Sequence, residues 1–352
     1  MQYPTAIFST IVQKLRNSLF EPAVSYAVLK VSCQPDACIV CLGIKVRSSL
    51  MSKICKLMAM CLSIVLLSGC AVTGKYEVNM QQAAQLGFNK SEMLELGQLV
   101  NVAYELFNGG KQPQNSNPDF PSDFVPGFTP VVNLQGQDSS SRKKEFYGHL
   151  SWRNREPGTL VVSIRGTADT QEWLDDAKFE KVDFSDNKDF GCVELGFKEI
   201  FSSFTVSKPK SDVFMPLNQY LQTAGGVKKI IVVGHSLGSS LATLVAFNAV
   251  ISGFTESVQL LTFASPFTGD AKFVKAFQAR NKDSVRIVNR PDLVPRVPPK
   301  LFGYRHVWHQ LEIDSYPNAG IKHSVVCYHS LLTYLHMLDS AIPLAPNCAA
   351  KF

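Results

Sequence analysis

Apolar side chains recur at three- and four-residue spacing through SEMLELGQLVNVAYELF (91–107), and Asn108-Gly109-Gly110 ends the run. That pattern predicts an amphipathic helix with a glycine stop. Residues 111–142, rich in Pro, Asn, Ser and Asp, predict loop with at most one short strand. FYGHLSW (146–152) and GTLVVSIRG (158–166) predict neighbouring strands joined at Asn154 to Pro157. KKIIVVGHSLGSSLATLVAFNAV (228–250) predicts a fully buried strand, a sharp glycine turn and a long apolar helix. SVQLLTFASP (257–266) and SVRIVNR (284–290) predict further strands, with a helix at AKFVKAFQAR (271–280) between them. HVWHQLEID (306–314) alternates like an edge strand, and SVVCYHSLLTYLHML (324–338) predicts one terminal helix. Continuous apolar strands alternating with helices predict an α/β fold, a mostly parallel central sheet covered by helices on both faces.

Upstream the text changes character. From Met51, Lys53 and Lys56 precede an apolar run from Leu57 to Leu67, which Ser68-Gly69-Cys70 closes. This is the plan of a secretory signal peptide, with an apolar run too short to span a bilayer. The ending Leu67-Ser68-Gly69-Cys70 resembles a bacterial lipobox, which implies lipidation of Cys70 and an N-terminal lipid anchor in the membrane. Ala71, rather than Asp, then points to the outer membrane of a bacterial cell envelope. In this reading residues 1–50 are a non-native upstream extension or disordered, 51–70 the signal, 71–90 a polar tether and 91–352 the α/β domain.

Charge and cysteine change the picture in the same place. Of 35 basic and 29 acidic residues, 1–70 hold seven basic and two acidic, leaving 28 against 27 for the body. A near-neutral body offers no long-range field for phosphate backbones, which argues against nucleic acid as a partner. Six of the nine cysteines also lie in 1–70; Cys192, Cys327 and Cys348 remain. Cys38 and Cys41 form a C-x-x-C without a second ligand pair at zinc-site spacing, so no metal is expected.

The chemistry centres on Gly234-His235-Ser236-Leu237-Gly238, a G-x-S-x-G on the strand-to-helix turn. A nucleophilic serine needs a tight turn that lifts its hydroxyl from the backbone, and flanking glycines let strand and helix approach. The helix N-terminus behind it presents unpaired N–H groups to a developing oxyanion. An acid and then a histidine should follow in chain order. Asp292, in RIVNRPDLVPRVPP, stands just past a strand; Asp270 competes but suits a helix cap better. Among His306, His309, His323, His329 and His336, His329 near the start of the terminal helix is the best-placed base, with His323 next.

SIRGTADTQEWLDDAKF, GHSLG, TFASPFTGD, NRPDLVPRVPP and the terminal CYHSLLTYL occur in this order. Together they resemble the class 3 (fungal-type) lipase family of the α/β-hydrolase superfamily. The resemblance implies Ser236 as nucleophile, Asp292 as acid and His329 as base, with Thr167 and Leu237 as the oxyanion hole. It implies a lid helix over Thr170–Asp176 containing Trp173 and Leu174. It also implies a lipid ester substrate and no cofactor. The alternatives within that chemistry are a phospholipase, a short-chain carboxylesterase or an acyltransferase; outside it stands a catalytically inactive envelope lipoprotein. Three features depart from the family. Val193-Glu194-Leu195-Gly196-Phe197 stands where V-H-x-G-F is usual, Ser239-Ser240 where glycine and alanine are usual, and the body has an odd number of cysteines. A Cys327–Cys348 disulfide would suit a compartment outside the cytoplasm.

Overall fold

A computed structural model describes residues 24–34, 37–46, 77–109, 117–137, 143–167 and 179–350. The chain divides into two compact units, Met1–Lys75 and Tyr76–Phe352. In the first, strands β1 (Val24–Gln34) and β2 (Ala37–Val46) pair antiparallel. The signal-like segment 51–70 with Cys70, and the lid residues Trp173 and Leu174, lie outside the described residues. Among the described residues no helix is long and apolar enough to cross a membrane.

In the second unit, helices α1 (Met80–Gln85) and α2 (Lys90–Gly109) precede strands β3 (Phe128–Gln137), β4 (Lys144–Arg153) and β5 (Thr159–Ile164). Short strands β6 (Lys181–Asp183) and β7 (Cys192–Glu194), helix α3 (Leu195–Ser202), strands β8 (Thr205–Ser207) and β9 (Met215–Pro216) and helix α4 (Leu217–Thr223) follow. Then come β10 (Lys229–His235), α5 (Leu237–Ile251), β11 (Ser257–Phe263), β12 (Gly269–Asp270), α6 (Ala271–Gln278) and β13 (Ser284–Asn289). The chain closes with β14 (Tyr304–Arg305), β15 (Gln310–Ile313), α7 (Val325–His329) and α8 (Leu331–Leu338).

Nine strands form the central sheet in the order β15-β13-β11-β10-β5-β4-β3-β8-β9. From β5 to β15 neighbours are parallel, and β4, β3, β8 and β9 extend the sheet antiparallel. Successive residues of β5 and β10 face opposite layers: Leu160, Val162 and Val232 pack with α3, α5 and α6, whereas Val161, Ile231 and Val233 pack with α2 and α8. Burial on both faces is why these strands read as unbroken apolar runs, and each such side chain contributes about 1.5–3 kcal/mol by leaving water. The architecture is that of an α/β-hydrolase fold, with β10 beside the central strand β5 and α5 following the C-terminal end of β10.

Two expectations need correction. The stretch 111–142 contains a ten-residue strand, β3, and not merely a short one. Its alternation is masked because Asn133 and Gln135 are themselves fully buried. They are tolerated because Asn133 Nδ2 donates to Asn117 Oδ1 and Pro118 O, and Gln135 Nε2 to Ser207 Oγ. The terminal helix is also two helices, broken at Ser330, whose ψ of 129° is extended. Side chains take the carbonyls a continuous helix would need: Asn289 Nδ2 donates to Tyr328 O and His235 Nε2 to His329 O, both at 2.8 Å. His329 therefore ends a short helix instead of standing near the start of a long one. Two residues before it, Cys327 forms a disulfide with Cys348.

Candidate active site

Strand β10 stops at His235 and helix α5 starts at Leu237, so Ser236 alone makes the turn. It does so at φ 58° and ψ −132°, a conformation that costs a non-glycine residue roughly 1–3 kcal/mol. The surrounding packing sustains the strain. A Cβ on Gly238 would lie 2.4 Å from Arg165 O, so only glycine lets the first turn of α5 sit against the end of β5. Ser239 Oγ lies 2.8 Å from Gly234 O and 2.7 Å from Phe263 O and shares its one proton between them, tying the helix to two strand ends through the residue where glycine is usual in the resembled family.

Three predicted residues meet at this turn. Ser236 Oγ lies 2.9 Å from His329 Nε2, and His329 Nδ1 lies 2.9 Å from Asp292 Oδ2. A carboxylate only accepts, so Nδ1 carries the proton and Nε2 is left to accept from the serine hydroxyl. Asp292 is 1% exposed, and its charge is answered by donors on both oxygens. Val294 N–H donates to Oδ1 (3.0 Å), and Tyr334 O–H joins His329 on Oδ2 at 2.7 Å. Such charge-assisted bonds are what make a buried carboxylate sustainable. Burial and the neighbouring Asp292 raise the Tyr334 phenol well above its ordinary range, so it stays a donor.

Thr167 follows Gly166, where an added Cβ would fall 2.7 Å from Ser236 Cβ, so the end of β5 abuts the nucleophile turn. Arg165 holds that end in place: its Nε donates to Phe146 O, its Nη1 to Gly166 O, and its guanidinium lies over the Phe107 ring. Thr167 Oγ1 is buried with no hydrogen-bond partner among the described residues. Leu237 opens α5, so its N–H is one of the donors that a helix start leaves unpaired. A buried hydroxyl and a helix-start amide beside a serine form a place where a negative oxygen would find donors.

The competing residues have structural partners. Asp270 caps α6, its Oδ1 accepting Phe273 N–H at 2.8 Å. His306 and His336 bond the carbonyls of Pro295 and Ile342, and His323 stacks on Tyr316. Glu194, in the place of the usual histidine, caps α3 by accepting Phe197 N–H. The sequence reading did not single out Tyr334, Tyr104, His235 or Asn289. His235 lies inside the G-x-S-x-G, Asn289 opens NRPDLVPRVPP and Tyr334 falls in CYHSLLTYL, whereas Tyr104 carries no local signal.

Comparison with known proteins finds phospholipase A1-II 5 of Oryza sativa subsp. indica 30% identical over 58% of this chain and 51% of that protein. Phospholipase A1-IIgamma of Arabidopsis thaliana is 30% identical over 50% of this chain and 47% of that protein. This chain thus spans about half the length of those relatives. Among solved structures, a triacylglycerol lipase described as having a serine protease triad at its catalytic centre is 19% identical, with a TM-score of 0.49, covering 70% of this chain and 94% of that one. The Rhizomucor miehei lipase in its propeptide complex is 20% identical, with a TM-score of 0.47, covering 74% and 80%. Residues 161–302, the stretch that carries Thr167, Ser236, Leu237 and Asp292, match the family model described as lipase (class 3).

Proposed function

We propose that this domain is a serine ester hydrolase acting on lipid esters, with Ser236, His329 and Asp292 as its triad. The observation that carries the reading is the directed series Ser236 O–H to His329 Nε2 and His329 Nδ1–H to Asp292, with the Thr167 hydroxyl, which has no partner among the described residues, next to Gly166 at the same turn. His329 takes the Ser236 proton as Oγ attacks the ester carbonyl. The oxyanion accepts from Thr167 and from Leu237 N–H, each such donor contributing about 3–4 kcal/mol in the transition state. His329, briefly an imidazolium held by Asp292, passes the proton to the departing alcohol. Water then attacks the acyl carbon as His329 takes its proton; the bond to Ser236 Oγ breaks, His329 returns the proton to Oγ, and the carboxylic acid leaves.

Phospholipid is the substrate class favoured by the names of the similar plant proteins, and acylglycerol is the second reading. A fluorophosphonate probe tests the chemistry: it should label the wild type at Ser236 and leave Ser236→Ala unlabelled. A wild type that takes no label, and hydrolyses no p-nitrophenyl ester from C4 to C16, would make this an inactive lipoprotein. Phosphatidylcholine and triolein assayed side by side separate the two substrate classes. For the leader, we propose lipidation at Cys70 and residence in a bacterial envelope, on the strength of Leu67-Ser68-Gly69-Cys70 alone. Cys70→Ser should lose membrane association in fractionation while keeping activity on a soluble ester; retention in the membrane fraction would overturn that assignment.

A further inference from the structure

Because the chain turns at Ser330, the carbonyl of His329 is left out of the backbone ladders of α7 and α8. It accepts instead from His235 Nε2 at 2.8 Å. A carbonyl cannot donate, so the His235 proton sits on Nε2 and Nδ1 must accept. The hydroxyl of Tyr104, on helix α2, lies 2.8 Å from that Nδ1 and donates to it. The Tyr104 oxygen in turn accepts the N–H of Gly166 at 2.8 Å. The series Gly166 N–H to Tyr104 O–H to His235 Nδ1, and His235 Nε2–H to His329 O, has only one possible direction at every step. It joins the backbone of the base to the residue just before Thr167.

We propose that His235 and Tyr104 are positioning residues, which hold the backbone of His329 and the Thr167 end of β5 in register with Ser236. This rests on the triad assignment above. Among the described residues the hydrogen bonds of these two side chains go to each other, to Gly166 N–H and to His329 O, and not to Ser236 Oγ or the His329 ring nitrogens, so they act through the groups they hold. A misplacement of about 1 Å at a reacting centre can cost a factor of 10² in rate, which is the scale such a device would protect. The environment of His235 suits the role. Its ring centroid is 4.8 Å from that of His329, where a second cation would oppose the imidazolium formed in catalysis. Burial, then the neighbouring His329, push the His235 pKa well below its ordinary value, so it stays neutral. Tyr104 is likewise held protonated, its pKa raised to about 12 mainly by burial.

The test compares His235→Met, which fills the space without a polar atom, with His235→Gln, whose amide N–H can reach the position of Nε2. Rates on a soluble p-nitrophenyl ester are divided by the number of sites titrated with fluorophosphonate, so that misfolded protein does not count. The methionine variant should lose roughly 10- to 100-fold in kcat per titrated site with KM within about twofold, and glutamine should recover most of that loss. Tyr104→Phe, a deletion of one oxygen, should lose about tenfold, and serves alone if the methionine variant does not fold. Combining it with His235→Met should add little, since both cut one series. A methionine variant keeping more than half of the wild-type kcat per site would overturn the proposal. So would equal losses in methionine and glutamine, or multiplied losses in the double variant. Failure of the wild type to label at all would instead sink the hydrolase reading, so the two failures are distinct.

Discussion

Tyr334 donates its phenol O–H to Asp292 Oδ2, the same carboxylate oxygen that receives His329 Nδ1–H. Two donors thus converge on one atom, and the Tyr334 oxygen itself accepts Asn289 N–H at 3.0 Å. Tyr334→Phe removes a charge-assisted bond worth about 1.5–3 kcal/mol and leaves Asn289 N–H without its acceptor. The His329 bond to Asp292 survives, so the loss should be partial: kcat lower by roughly 10-fold, with a lower midpoint in denaturant. Steady-state kinetics and urea unfolding of the one variant check both. An unchanged kcat would make Tyr334 a purely structural support.

The strain at Ser236 separates two substitutions that both destroy the nucleophile. Ser236→Ala keeps a Cβ at φ 58° and hence the strain; Ser236→Gly relieves it. Both should lose at least ~10⁴-fold in kcat, but the glycine variant should be more stable than the alanine variant by roughly 1 kcal/mol. Equal melting temperatures for the pair would show that the turn stores no recoverable strain.

Thr167→Val replaces a hydroxyl by a methyl of similar shape. Because Oγ1 bonds nothing among the described residues, no hydrogen bond within them is broken, and stability should hold or rise. The kcat should fall roughly 10²- to 10³-fold with little change in KM, since the hydroxyl serves the oxyanion and not the ground-state carbonyl. A rise confined to KM would reassign Thr167 to substrate binding.

His149 predicts an acid-range instability. Its Nε2 bonds Leu99 O and its Nδ1 Ser151 Oγ, and burial lowers its pKa from 6.5 to about 4. Between those values the unfolded chain binds the proton and the folded protein does not, so stability falls as pH drops from 6.5 to about 4. The loss from this group is on the order of 3 kcal/mol. His149→Gln, less stable at neutral pH, should show a correspondingly shallower decline when denaturant midpoints are measured across that window. Parallel declines would mean that His149 takes up its proton while folded.

Much of the site was legible because its chemistry is local. Gly234 to Gly238 must turn sharply between a buried strand and a buried helix, and the glycines and serine that permit the turn are adjacent in the chain. Asp292 was legible for a similar reason, since Pro291 and Pro295 end β13 around it. His329 was harder: five histidines follow Asp292, and its place in the terminal helix only ranks it above His323, whereas its contacts with Ser236 and Asp292 single it out. Tyr104 was out of reach, because it lies 131 residues before the His235 it bonds.

By itself, then, the sequence determined the order of α2, β4, β5, β10, α5, β11, α6, β13 and β15, the two-sided burial of β5, β10, β11 and β13, and the nucleophile turn. Those are properties of neighbouring residues, set by apolar periodicity and by the backbone freedom of glycine and proline. Only the tertiary structure decided where polar side chains would find partners. Buried Asn133 and Gln135 stand in a strand where the sequence reads as loop, because Asn117 and Pro118 fold back from earlier in the same stretch and Ser207 comes from β8 to meet them. Asn289 and His235 took the carbonyls of Tyr328 and His329 and so broke one predicted helix into two. Most buried polar groups need a partner, but nothing in the immediate neighbours of such a residue says which; the pairing exists only once separate segments have packed.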